Sequence, residues 1–153
     1  MKIDSTCAIE RTLCVVGERW TPLILREAVS GVTRFAQFRD RLGIAPDVLT
    51  ARLTTLVEHG VMTREPYREP GARTRFDYHL TDAGRELCVM LGALQQWGDR
   101  HLPWPDGPSV LRRATDDREL HVGFVDERGG EVELDDVRFV RTDVYPADPT
   151  PVR

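Results

Sequence analysis

The chain has 153 residues with 21 basic and 25 acidic side chains, a formal net charge of −4 and three cysteines, a length that supports one core plus an appendage. No run of about 18 apolar residues occurs and no apolar stretch follows a basic start, which argues against a membrane span and a secretory signal; three cysteines without a paired framework fit a reducing cytoplasm. Residues 1–105 hold 14 basic and 13 acidic side chains and residues 106–153 hold 7 and 12, so the acidity lies in the tail and does not exclude a nucleic-acid partner.

Ile9, Leu13 and Val16 mark one apolar stripe of a first helix, which Gly17 ends. Cys7 opens that helix, with Arg11 one turn on. Thr21-Pro22 starts a second helix, with Leu23, Ile24 and Ala28 facing inward and Gly31 closing it. Trp20, at the junction, is expected to wedge between helices as core. Phe35, Phe38 and Leu42 place an apolar stripe on a short third helix, and Gly43 suits the left-handed backbone that ends it.

Pro46 then sits where a new helix begins, its fixed φ suited to a first turn. Leu49, Leu53, Leu56 and Val57 form the buried stripe of that helix, predicted over 46–59, and Gly60 ends it. The opposite face carries Asp47, Ala51, Thr54 and Thr55, flanked by Val48 and Thr50, with Arg52 further round. A short helix, a tight turn and a longer helix form the unit that presents its second helix to the DNA major groove. Small side chains allow close approach to base edges, and threonine brings both a hydroxyl and a methyl. Taken alone, the same face also reads as ordinary solvated helix.

A hairpin follows. Val61, Met62 and Thr63 suit an incoming strand, and Phe76, Tyr78 and Leu80 alternate on the return strand. Pro66 and Pro70-Gly71 are expected to break the run and place the turn. The wing is expected at 64–78, and within it, from Arg64 to Arg75, Arg64, Arg68, Arg73 and Arg75 outnumber Glu65 and Glu69, and guanidinium groups suit phosphates. Thr81 caps the next helix, with Asp82 in its first turn. Ala83, Leu87, Met90, Leu94 and Trp97 line that helix, and Gly84, Cys88 and Leu91 widen the stripe. So broad an apolar face needs a second surface, either a partner subunit or the acidic tail folded back.

Residues 101–109, HLPWPDGPS, break the chain. Beyond them Leu120, Val122, Phe124 and Val125 suit a strand, Gly129-Gly130 a hairpin turn, and Val132, Leu134, Val137, Phe139 and Val140 one or two more strands. A small acidic β-hairpin or meander is therefore expected over 110–141, able to complete a dimer, line a ligand pocket or cap apolar surface. Residues 146–153 are expected to fray.

Cys7, Leu13, Gly17-Glu18-Arg19-Trp20, Leu23-Ile24-Leu25-Arg26-Glu27, Gly31 and Arg34-Phe35 together resemble the signature of the HxlR-type winged-helix transcriptional regulators of the MarR-like superfamily. Val48-Leu49-Thr50-Ala51-Arg52-Leu53, Gly60, Tyr78-His79-Leu80-Thr81, Gly84 and Trp97-Gly98 continue the match over roughly residues 5–102. The resemblance implies a bacterial cytoplasmic regulator, most often a repressor, that binds double-stranded DNA as a homodimer through its N-terminal and post-wing helices. It carries over Asp47, Val48, Thr50, Ala51 and Arg52 on the helix and Arg73 and Arg75 on the wing; Thr54 and Arg68 join them from the residue pattern. Arg52 and Arg75 are expected to supply affinity and the small helix residues sequence choice.

Cys7 matches a family cysteine that in several members senses electrophiles or oxidants. A redox switch or electrophile effector site there stands beside a plain packing role at a dimer seam. Cys14 and Cys88 read as core. The histidines are scattered singly, without metal-ligand spacing, and no catalytic motif or cofactor-binding loop is present. The expected architecture is α+β: a winged helix-turn-helix with extra N- and C-terminal helices at 1–102, and the β extension at 110–141. The alternatives from other classes are thiol chemistry at Cys7 and a winged-helix module that contacts only proteins.

Overall fold

In a computed structural model, which describes residues 5–71 and 73–144, the helical periodicities become α1 (Ala8–Val16), α2 (Trp20–Val29), α3 (Phe35–Leu42) and α4 (Pro46–Glu58). The wing is β1 (Met62–Tyr67) and β2 (Arg75–Leu80), followed by α5 (Asp82–Glu86), α6 (Cys88–His101) and the short strands β3 (Phe124–Val125) and β4 (Glu131–Val132). The architecture is an α+β winged helix-turn-helix, and it divides into a unit of residues 12–91 and a second of 5–11 with 92–144.

Residues 12–91 hold the core. Ile24, Leu25, Phe38, Leu49, Leu53, Leu56 and Met62 are fully buried, with Tyr78 and Val16 at the margin. On α2 the buried stripe is Thr21, Ile24, Leu25 and, in part, Ala28, the i, i+3, i+4, i+7 spacing of one helix face. Leu23 lies off that stripe and is only half-buried, contrary to its predicted inward role. Trp20 is half-buried against the core, with the Arg19 guanidinium 5.2 Å from its ring centre.

The α3–α4 turn forms as the sequence predicts. Gly43 takes φ 61° and its N–H donates to Arg39 O at 2.9 Å; Ala45 is extended and Pro46 begins α4. α3 is also tied to α2. Glu27, buried on α2, accepts from Arg26 at 2.7 Å and from Arg41 of α3 at 3.2 Å. Burial pushes the Glu27 carboxyl up, but the hydrogen bonds and charges of Arg26 and Arg41 outweigh it and hold the group below its ordinary 4.5. A depressed carboxylate stabilises the fold above its unfolded pKa, and the gain disappears as pH falls through the folded value. Glu27→Gln is therefore expected to cost about 1–3 kcal/mol at pH 7, toward the lower figure because both arginines are largely solvated. Urea melts of the two proteins should converge as pH falls below 4.5; a gap that persists at pH values well below that would contradict the account.

In the wing, β1 and β2 pair antiparallel from Met62↔Leu80 to Tyr67↔Arg75. Pro66 does not break the strand: it pairs with Phe76 inside the ladder. A residue without an N–H is tolerated there because β1 is an edge strand. The other side of β2 is occupied by a bridge from Arg34 to Asp77 and by Tyr78 N–H donating to Thr33 O at 2.8 Å.

Thr81 caps α5 as predicted, its Oγ1 accepting from Gly84 N–H at 3.0 Å and donating to Gly60 O at 2.6 Å. Cys88, predicted as core, is exposed, as are Val89, Leu94 and Trp97 along α6. Among the described residues these side chains of α6 are left uncovered.

In the other unit, Gln96 of α6 holds the extension with two backbone hydrogen bonds of 2.8 Å, one to Val122 O and one from Val122 N–H. Arg112 pairs with Asp99 at 3.2 Å. The hairpin turn is where the glycine pair predicts it: Gly129 has φ 82°, and Asp126 accepts from Arg128 N–H at 2.8 Å and Gly130 N–H at 2.9 Å. Those backbone donors, Gly130 first, hold the Asp126 carboxyl below its ordinary range. The strands themselves are only two residues each. Leu134–Asp136 turn as a 3-10 helix, which diverts the chain before Val137, and Phe139 and Val140 are left exposed outside any strand. Phe139 instead meets Phe124 edge to face at 6.4 Å. The frayed end predicted at 146–153 lies outside the described residues.

Candidate nucleic-acid interface

Asp47, Thr50, Ala51 and Thr54 lie on one exposed face of α4, opposite the fully buried Leu49, Leu53 and Leu56. Thr50 Oγ1 donates to Pro46 O at 2.7 Å and Thr55 Oγ1 to Ala51 O at 3.1 Å. Both hydroxyl protons are thereby used inside the helix, which leaves oxygen lone pairs as acceptors for an incoming partner. Val48 is different: it is half-buried and packs against the core. Arg52 is also drawn inward, only 27% exposed, with Nη1 3.7 Å from Glu18 Oε1.

On the wing, Arg68, Arg73 and Arg75 are all exposed, and Arg75 stands opposite Tyr67 in the ladder. Arg75 shares a concavity of about 470 Å³ with Arg39, Phe35 and Tyr67. Arg64 lies over the Phe76 ring, 3.4 Å from its centre, a cation–π contact that fixes the side chain along the strand.

Arg34, part of the family signature but given no role by the sequence pattern, is a functional candidate. It precedes α3, where its N–H donates to Gln37 Oε1 at 3.2 Å. Its guanidinium sits 4.7 Å from the Tyr67 ring centre, 3.3 Å from Glu69 and 3.7 Å from Asp77, whose Oδ1 is buried. The side chain thus ties the start of the helix-turn-helix to both wing strands. Only the bridge between Arg34 and Asp77, a tertiary feature, reveals that role. Arg34 also neutralises one of the two wing glutamates, so the wing offers more positive charge than its composition suggests.

Cys7 is half-buried and immediately precedes α1, its N–H donating to Ser5 Oγ at 3.1 Å. Arg11 turns away to the carbonyls of Ser5 and Thr6, at 2.6 and 3.0 Å. Among the described residues no group of three or more His, Cys, Asp or Glu is placed to hold a metal ion, and no helix is long and apolar enough to cross a membrane.

The model of the HxlR-like helix-turn-helix family matches residues 15–105 of the chain. An uncharacterized HTH-type transcriptional regulator of Mycobacterium tuberculosis (strain H37Rv), Rv3095, is 48% identical over 106 residues, covering 69% of this chain and 66% of the relative. The chain thus matches just under two thirds of that protein's length. The uncharacterized HTH-type transcriptional regulator YdeP of Bacillus subtilis (strain 168) is 31% identical over 111 residues, 72% of this chain and 85% of YdeP. Among solved structures, that of PA1607 superposes with a TM-score of 0.78 at 35% identity, covering 92% of this chain and 98% of its own.

Proposed function

The chain belongs to the HxlR-like helix-turn-helix family, and from that premise we propose that it is a sequence-specific regulator of transcription that binds double-stranded DNA through α4 and the wing. The observation that carries this reading is the exposed face Asp47, Thr50, Ala51 and Thr54, set on the same unit as the wing arginines. A helix face free of bulky side chains can lie in the major groove, while flanking arginines meet the backbone. Bases are then read by Thr50, Ala51 and Thr54, and phosphates are held by Arg68, Arg73 and Arg75.

The working form is a homodimer that presents two α4 helices to an inverted repeat, with half-sites about 34–36 Å apart. The exposed apolar stripe of α6 supports that pairing. Binding to an operator across a promoter makes the protein a repressor by exclusion.

The roles divide cleanly in experiment. Arg75→Ala is expected to weaken binding to all duplexes alike and to lower the salt slope by about one, the loss of one phosphate contact. Thr50→Val should instead change which bases are accepted, with about 1–3 kcal/mol of discrimination at one position. Titrations at several salt concentrations check both. A changed base preference with an unchanged salt slope in Arg75→Ala would overturn this assignment.

A further inference from the structure

Arg52 lies on the flank of the reading face, yet its side chain is incompletely satisfied. A guanidinium carries five N–H donors. The contact of Nη1 with Glu18 at 3.7 Å is an ion pair too long to be a hydrogen bond, and Nε is buried without an acceptor among the described residues. Buried donors are ordinarily paired, so this side chain is one partner short. Glu18 is the opposite case: 68% exposed, on the turn between α1 and α2, beside the reading helix. The backbone of that turn is fixed, Gly17 N–H donating to Leu13 O at 2.9 Å and Thr21 N–H to Glu18 O at 2.8 Å. Only the carboxylate has to move for Arg52 to change partner.

Resting on the DNA-binding reading above, we infer that Glu18 is an intramolecular competitor for Arg52, a carboxylate held where a DNA phosphate is to be received. In the free protein the pair holds Arg52 beside α4; on DNA the guanidinium exchanges the long contact with Glu18 for phosphate oxygens, which accept its planar fork at hydrogen-bond distance. Glu18 thereby lowers affinity for DNA in general, and it acts through Arg52 rather than on the DNA itself.

The test is a double-mutant cycle on the full chain, read by anisotropy of a labelled random-sequence duplex at low salt, because a phosphate contact does not depend on sequence. Glu18→Gln is expected to tighten binding about two- to fivefold, the range that release of an exposed ion pair supplies. Arg52→Gln, which keeps most of the packing stem, should weaken binding, and Glu18→Gln added to it should change nothing further. Thermal melts show that the variants compared are folded, and Arg52→Lys, which keeps the charge, should restore the response to Glu18→Gln if Arg52→Gln melts early. Tighter binding by Glu18→Gln in the presence and absence of the Arg52 charge would overturn the competition and make Glu18 a bulk repulsive charge. Weaker binding by Glu18→Gln alone would overturn it in favour of a structural pair. If the native chain binds no duplex at all, the DNA-binding reading falls and this inference with it; a native chain that binds but gives an additive cycle sinks this inference alone.

Discussion

Gly84→Ala is expected to destabilise the fold by about 3 kcal/mol, the upper end for an overpacked core site, although alanine is the better helix former by about 1 kcal/mol. Gly84 is buried in α5, with its N–H bonded to the Thr81 cap. A Cβ built there stands 2.1 Å from Val61 O and 3.1 Å from Leu80 Cδ2. The carbonyl cannot simply yield, because Val61 O also accepts from Thr81 N–H at 3.1 Å, beside the 2.6 Å bond that Thr81 Oγ1 donates to Gly60 O. Relief of the clash therefore means losing the bonds that join the end of α4 to the start of α5. Propensity and packing predict opposite signs, so a chemical melt decides between them. A Gly84→Ala protein as stable as the native chain would show that the close approach is not a constraint.

The second large effect is on assembly. Leu94 and Trp97, three residues apart on α6, are 55% and 58% exposed. Trp97 is ordered against His101, ring centres 5.0 Å apart. A two-fold interface uses the same patch twice, so one substitution is felt twice. Trp97→Asp is expected to yield monomers at micromolar concentration. It should also lower operator affinity by about 100-fold or more, since each reading head then binds without the effective concentration its partner confers. Light scattering and an operator titration check the two consequences together. A Trp97→Asp protein that remains dimeric would place the interface elsewhere.

Where one helix or one turn determines its own form, the sequence was sufficient. Gly43 and Pro46 fix the α3–α4 turn through backbone dihedrals, and Thr81 fixes its cap through a bond three residues away. Gly129 and Asp126 do the same for the distal hairpin. Where the outcome depends on what lies across from a residue, the pattern misled. Pro66 reads as a strand breaker, but an edge strand leaves its missing N–H without consequence. Cys88 reads as core from its helical spacing, yet among the described residues it is left exposed. Among the described residues the meander is reduced to two-residue strands, and β-prone residues such as Phe139 and Val140 lie exposed outside any strand.

The candidate site divides in the same way. Asp47, Thr50, Ala51 and Thr54 follow from helical periodicity and are found on one face. Periodicity places Arg52 on the flank, but its turn toward Glu18 is a tertiary contact that no local pattern gives. The role of Arg34, named only as a signature residue, was hidden for a related reason. Its partners Tyr67, Glu69 and Asp77 lie more than thirty residues along the chain, beyond the reach of any local pattern.

Selection of bound sequences from a pool of random duplexes, with purified full-length protein, tests the central claim most directly. The account predicts enrichment of an inverted repeat whose half-sites lie about one helical turn, 34–36 Å, apart, retained by the native protein and lost when Ala51 is replaced by glutamate on the exposed face of α4. A pool that emerges without sequence enrichment, or a consensus bound equally well by Ala51→Glu, would contradict it.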